Sequence, residues 1–203
     1  TERMPHLKDG QVDYYIEKGE PLKELLEKAE ETEAQLIVIG QETGTSHHDI
    51  LARNLARYSD RHALIVPEVA RARLQHILVP VDFSENATRA LRAAIEMRKR
   101  SEEKVRITVL NIYERPNLMA FKIDKTPEQM DTIIEKNHQE GMEKYLQETF
   151  PQEKDDLKTA LVRRNRPGVA PFIMDYARDK AVDLIVVGAK GHSKVELLIL
   201  GSV

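Results

Sequence analysis

Residues 35–40 read QLIVIG and residues 183–188 read DLIVVG. Each is a short apolar run rich in β-branched residues and closed by glycine, and they stand 148 residues apart (183 against 35). Such a short, continuous apolar run predicts a strand. Carried upstream without gaps, the same offset places Leu25 on Ile173, Leu26 on Met174 and Ala29 on Ala177. It also lays residues 12–16 on residues 160–164, strand-like in both places. Strand, Gly/Pro break, amphipathic helix, apolar strand and glycine follow in the same order each time. That order predicts a duplicated α/β unit.

The second copy reads in more detail. Residues 76–81 (HILVPV) predict a buried strand, and Ser84 is a natural N-cap for a helix carrying Ala90, Leu91, Ala94, Ile95 and Met97 at helical spacing. Residues 105–112 predict the next strand, apolar on both faces towards its end. Thr126-Pro127-Glu128-Gln129 supplies an N-cap, a Pro at the first position and a Gln at the third, opening a long helix to about Thr149. Met130, Ile133, Ile134 and Met142 on that helix are read as core. A third strand is expected over 157–162, a helix over 170–180 and a fourth strand over 183–187. Strands alternating with helices predict a parallel sheet covered on both faces.

The copies are unequal. The first begins at the counterpart of the second's third strand and continues through a helix over 49–61 to a strand over 63–66. The second has the early strands and ends at Val203, before that last helix and strand. The expected domains are an incomplete first unit over 1–70 and a second over 76–203, with residues 67–75 joining them. Unpaired edges would be costly. Two readings stay open: a chain that is part of a longer two-domain protein, or two halves that complete one sheet together.

Composition bounds the function. The 203 residues carry 31 Lys+Arg against 34 Asp+Glu, a net charge of −3, so no basic excess points to nucleic acid or an anionic membrane. The absence of cysteine excludes disulfides, thiolate metal sites and a Cys nucleophile. No apolar run approaches the roughly 20 residues of a membrane helix, and TERMPHLKDG does not read as a signal peptide. With 32% charged residues, a soluble and cytoplasmic protein is expected.

Two features could carry chemistry. Gly188, Gly191, Gly201 and Ser202 form G-x2-G-x9-G-S. Glycines after a parallel strand let backbone N–H groups approach a phosphate, and ligands of open α/β sheets lie beyond the carboxyl ends of the strands. The same glycines serve equally to make turns. Asp82 directly follows HILVPV, where its carboxylate is placed either to accept from a ligand or to cap the helix after it. His47-His48-Asp49 has metal-ligand residue types, but neighbours rarely share an ion, and Asp49 reads as an N-cap. Arg163, Arg164 and Arg166 read as a solvated strand end rather than an anion patch. The chain has no G-x-x-x-x-G-K-[ST] loop, no G-x-G-x-x-G after a strand and no G-x-S-x-G elbow. The Ser-Gly-Gly loop expected after the first strand of ATP pyrophosphatases is replaced here by DFSENA.

Residues 76–94 (HILVPVDFSENATRALRAA), DLIVVGAKGHS and residues 197–203 (LLILGSV) together resemble the universal stress protein family. The resemblance is close over 75–203, looser over 12–66, and looks like a tandem member. It implies the doubly wound parallel sheet of the adenine-nucleotide α-hydrolase kind, in two copies. It also implies an ATP site, since the loop pattern marks the family's ATP-binding members. Asp82 would read the adenine, with Pro80 and Val81 as pocket backbone and Ile112 as an apolar wall. Val187 and Gly188 would lie beneath the ribose. Gly191, Gly201, Ser202 and Val203 would hold the phosphates, and Mg²⁺ could accompany them. His192 and Ser193 lie in the same loop, where they could touch ribose or phosphate, although His192 reads more readily as a solvated loop residue.

The first copy departs from this pattern. Gly40 matches Gly188, but Thr43 stands for Gly191 with Gly44 one residue late, and Arg53 and Asn54 replace Gly201 and Ser202. It is expected to have lost ATP binding. The resemblance thus implies a cytoplasmic ATP-binding stress-response protein, with domain pairing or a homodimer and no nucleic-acid or membrane partner. A slow ATPase or nucleotidyl-transfer enzyme and a nucleotide-free scaffold are the alternatives.

Overall fold

The computed structural model describes residues 12–41, 46–71, 73–115 and 126–188, with the side chains of 46–49 and 127 left aside. Among them two parallel sheets stand apart in sequence. The first unit runs α1 (Pro21–Glu31), β1 (Leu36–Gln41), α2 (Ser46–Tyr58) and β2 (His62–Pro67). Pro21 opens α1 behind Glu20, whose carboxylate accepts from the Leu22 and Lys23 amides. β1 pairs β2 from Leu36↔His62 to Gln41↔Pro67. Ala29, Ile37 and Leu55 form its buried centre, with α1 and α2 on one face. The other face of β1 exposes Leu36 and Val38.

Two expectations for this unit are corrected. No strand forms over residues 12–16, and Ile16 and Tyr14 are 99% and 83% exposed. The reason is pairing. In the second unit the corresponding strand lies against a neighbour for eight residue pairs, whereas among the described residues of the first unit the strands are β1 and β2, paired with each other. A strand without a ladder has nothing to satisfy its backbone. The second helix starts at Ser46 rather than Asp49, so Asp49 lies inside its first turn. It ends at Tyr58, where the Ser59 hydroxyl accepts from the Arg61 amide at 3.0 Å and offers the backbone an alternative to the helix.

The second unit runs β3 (His76–Pro80), α3 (Glu85–Arg100), β4 (Arg106–Glu114), α4 (Pro127–Thr149), a 3₁₀ turn (Lys154–Asp156), β5 (Leu157–Arg164), α5 (Ala170–Asp179) and β6 (Leu184–Ile185). The sheet order is β5-β4-β3-β6, all parallel. Ser84 caps α3 by accepting from the Ala87 amide, and Thr126 with Gln129 closes a capping box on α4. Side chains of β3 alternate between layers. Ile77, Val79 and Val81 pack with Ile107, Val109, Leu91, Ile95, Met142 and Leu146 under α3 and α4. Leu78 and Leu110 pack on the opposite face against Ile173 and Ala177 of α5. Burial on both faces is what continuous apolar strands require. Of the four α4 residues read as core, Ile134 and Met142 are buried, and Met130 and Ile133 are half-buried.

β6 is shorter than expected. Leu184 and Ile185 alone pair β3, and beyond them the Val186 amide donates to the Leu78 carbonyl at 2.9 Å. Asp183 fixes its start, accepting from the amides of Gln75 and His76 at 2.8 and 2.9 Å. Among the described residues no helix is long and apolar enough to cross a membrane.

Candidate functional site

The chain winds from β3 through α3 and α4 to β5 on one side of the sheet, then returns by α5 to β6 on the other side of β3. The order therefore reverses between β3 and β6, and such a switch point opens a crevice at the carboxyl ends of the strands. Pro80, Val81 and Asp82 leave β3 on one side of it, and Val187 and Gly188 follow β6 on the other.

Asp82 is exposed, and one of its carboxylate oxygens accepts from the Ser84 amide at 3.0 Å. The aspartate thus shapes the turn into α3, while Ser84 itself is the N-cap. Phe83 between them takes a left-handed φ of 62°, a strained conformation for a bulky residue. Its ring meets Tyr145 of α4 edge-on, centroids 5.2 Å apart, and the Tyr145 hydroxyl shares a 2.9 Å hydrogen bond with Thr88. Burial pushes the Tyr145 phenol above its usual pKa, against the Thr88 hydrogen bond, and the Asp82 charge adds to the rise. The strained turn is held from two sides.

Gly188 is required by a close approach. A Cβ there would lie 2.5 Å from the backbone carbonyl atoms of Asn86 in the first turn of α3. Glycine brings the chain after β6 against the start of α3. Ile112, half-buried, lies on the α5 face of β4 against the Leu78–Leu110 cluster.

Gly191, His192, Gly201, Ser202 and Val203 lie outside the described residues, as do Ser193, Thr43 and Gly44. Arg53 and Asn54 are half-buried in α2. Among the described residues no three His, Asp or Glu side chains gather as a metal would need. Arg163 pairs with Asp131 at 2.6 Å, Arg164 with Glu114 and Arg166 with Asp175, so these arginines are engaged within the fold.

Asn111 escaped the sequence reading. It is 5% exposed in β4, and its Nδ2 donates to the Val81 carbonyl at 2.9 Å. An asparagine inside an apolar strand was the available signal, because strands disfavour it.

A parallel sheet packed on both faces, with its order reversing between β3 and β6, defines a doubly wound α/β unit. The chain belongs to the universal stress protein family, whose model matches residues 73–203. The universal stress protein UspA from Lactobacillus plantarum is similar at 26% identity, over 61% of this chain and 83% of that one, with a TM-score of 0.42. A universal stress protein from Archaeoglobus fulgidus DSM 4304 matches 90% of this chain and 59% of its own, at 17% identity and a TM-score of 0.54. A further universal stress protein, solved in complex with cAMP, is 20% identical over 63% of this chain and 85% of that one, with a TM-score of 0.39.

Proposed function

We propose that the second unit, residues 76–203, binds ATP or a related adenine nucleotide and that the chain is a cytoplasmic stress-response regulator rather than a metabolic enzyme. The observation that carries this reading is that Asp82 and Gly188 follow the carboxyl ends of the adjacent strands β3 and β6, at the switch point of the sheet. Asp82 accepts the exocyclic amine of adenine, with Pro80, Val81 and Ile112 around the base. Val187 and Gly188 lie beneath the ribose. The G-x2-G-x9-G-S pattern continuing through Gly191, His192, Gly201, Ser202 and Val203 supplies the phosphate contacts, and Mg²⁺ accompanies the phosphates through their own oxygens.

The tandem arrangement is part of the proposal. Residues 1–70 form an incomplete, degenerate unit that binds no nucleotide. Supporting the repeat, Glu33 and Ala181 hold the same left-handed conformation, φ 51° and 48°, after α1 and α5 at the 148-residue offset. The next amides, of Ala34 and Val182, donate back to Ala29 and Ala177 at 2.9 Å in each copy. The uncovered Leu36 and Val38 of β1 support pairing of that face within the chain or in a homodimer.

Asp82→Asn tests the base-reading role. The amide keeps an oxygen to accept from Ser84, so the turn survives, but its charge is gone. Equilibrium binding of ATP and GTP should show the preference for ATP falling about tenfold, the size of one charge-assisted hydrogen bond. Equal affinities before and after the change, with the fold intact, would leave Asp82 as a turn residue alone.

A further inference from the structure

Asn111 is the least expected side chain in the sheet. Its neighbours Leu110 and Ile112 are apolar, it is 5% exposed, and a buried amide is costly unless it is hydrogen-bonded. Nδ2 donates to the Val81 carbonyl at 2.9 Å, whereas Oδ1 has no hydrogen-bond partner among the described residues. A strut built for stability would be satisfied at both ends. Here the bond that is made goes to the residue before Asp82.

Alternation along β4 puts Asn111 on the face of Ile107 and Val109, beneath α3 and α4. The loop above it is fixed at successive points. The Val81 amide donates to the Leu110 carbonyl at 2.8 Å, Asn111 takes the Val81 carbonyl, and Phe83 is wedged in its left-handed conformation against Tyr145. Strained backbone persists only where its surroundings over-determine it, and functional turns are where it collects. Without the Asn111 bond the Val81–Asp82 peptide is free to rotate, carrying the Asp82 carboxylate with it.

We infer that Asn111 is a positioning residue of the nucleotide site, which aims the Asp82 carboxylate at the base by holding the Val81 carbonyl. The inference rests on the reading of Asp82 as the group that recognises adenine. Asn111 itself touches no ligand in this account, so its effect is on base selectivity.

The test is binding of ATP and GTP by the full chain and its variants. Asn111→Ala should lower the ATP-to-GTP preference about tenfold, the loss expected for one hydrogen bond. Combined with Asp82→Asn it should lower the preference no further, because coupled residues are not additive. Asn111→His, whose ring N–H donates in place of Nδ2, should restore most of it. Should Asn111→Ala fail to fold, Asn111→Ser gives the same comparison. An unchanged preference, or an equal loss for both nucleotides, overturns the inference and leaves the site standing. If the unaltered chain binds neither nucleotide, the reading of the site falls and the inference with it.

Discussion

Gly188 and His76 mark the two ends of the β3–β6 seam, and each makes a separate demand on its residue type. At the carboxyl end, Gly188→Ala would drive a methyl to 2.5 Å from the Asn86 backbone. A helix backbone yields less readily than a side chain, so the variant should lose about 1–3 kcal/mol in urea denaturation; a loss within error would show that this contact is soft. At the amino end His76 is 4% exposed. Its Nδ1 lies 2.8 Å from Arg106 Nη2, a donor, and 3.2 Å from the Lys180 carbonyl, an acceptor, while Nε2 lies 2.9 Å from the Thr108 hydroxyl. Burial holds the imidazole below its ordinary 6.5; Arg106 and Lys158 act in the same direction, and the Lys180 carbonyl and Asp183 oppose them. The unfolded chain then binds more protons than the native one below about pH 6.5, so stability should fall as pH drops through that value and be flat above it. His138, desolvated on α4, adds the same sign. His76→Gln should reduce the slope, and an identical slope would assign the pH dependence elsewhere.

At the scale of elements, the helix caps and buried strands are the parts the sequence announces. Ser84, Thr126, Pro127 and Gln129 are local signals, and their caps form from residues a few positions apart. The stretch at residues 12–16 has the alternation of a strand but pairs with no strand among the described residues, and pairing is a property of distant segments that periodicity does not contain. Asp82 and Gly188 were legible because each ends an apolar run. The Phe83 conformation and the partner of Asn111 were not, since the left-handed turn and the Val81 bond depend on α4 and β4 arriving from elsewhere. The shared helix ending gives a test of the repeat. Glu33 and Ala181 both sit at a left-handed position that glycine occupies at no steric cost. Glu33→Gly and Ala181→Gly should each stabilise the chain by about 0.5–1 kcal/mol in thermal or urea unfolding. Opposite signs at the two positions would count against equivalent caps.

For the whole molecule, repetition of the fold and repetition of the chemistry are separate questions. The second unit places Asp82 after β3 and Gly188 after β6, at the carboxyl ends of adjacent strands. In the first unit β1 pairs with β2, and no strand equivalent to β3 stands among its described elements to deliver a carboxylate. Arg53 and Asn54 occupy α2 at the offset of Gly201 and Ser202. On the proposed duplication, two units carry one nucleotide site. Calorimetric titration of the full chain with ATP measures this directly. The account predicts saturation at about one nucleotide per chain, since only one loop satisfies the pattern, with the heat lost in Asp82→Ala. Two equivalent sites per chain, or no saturable heat with the fold intact, would contradict it.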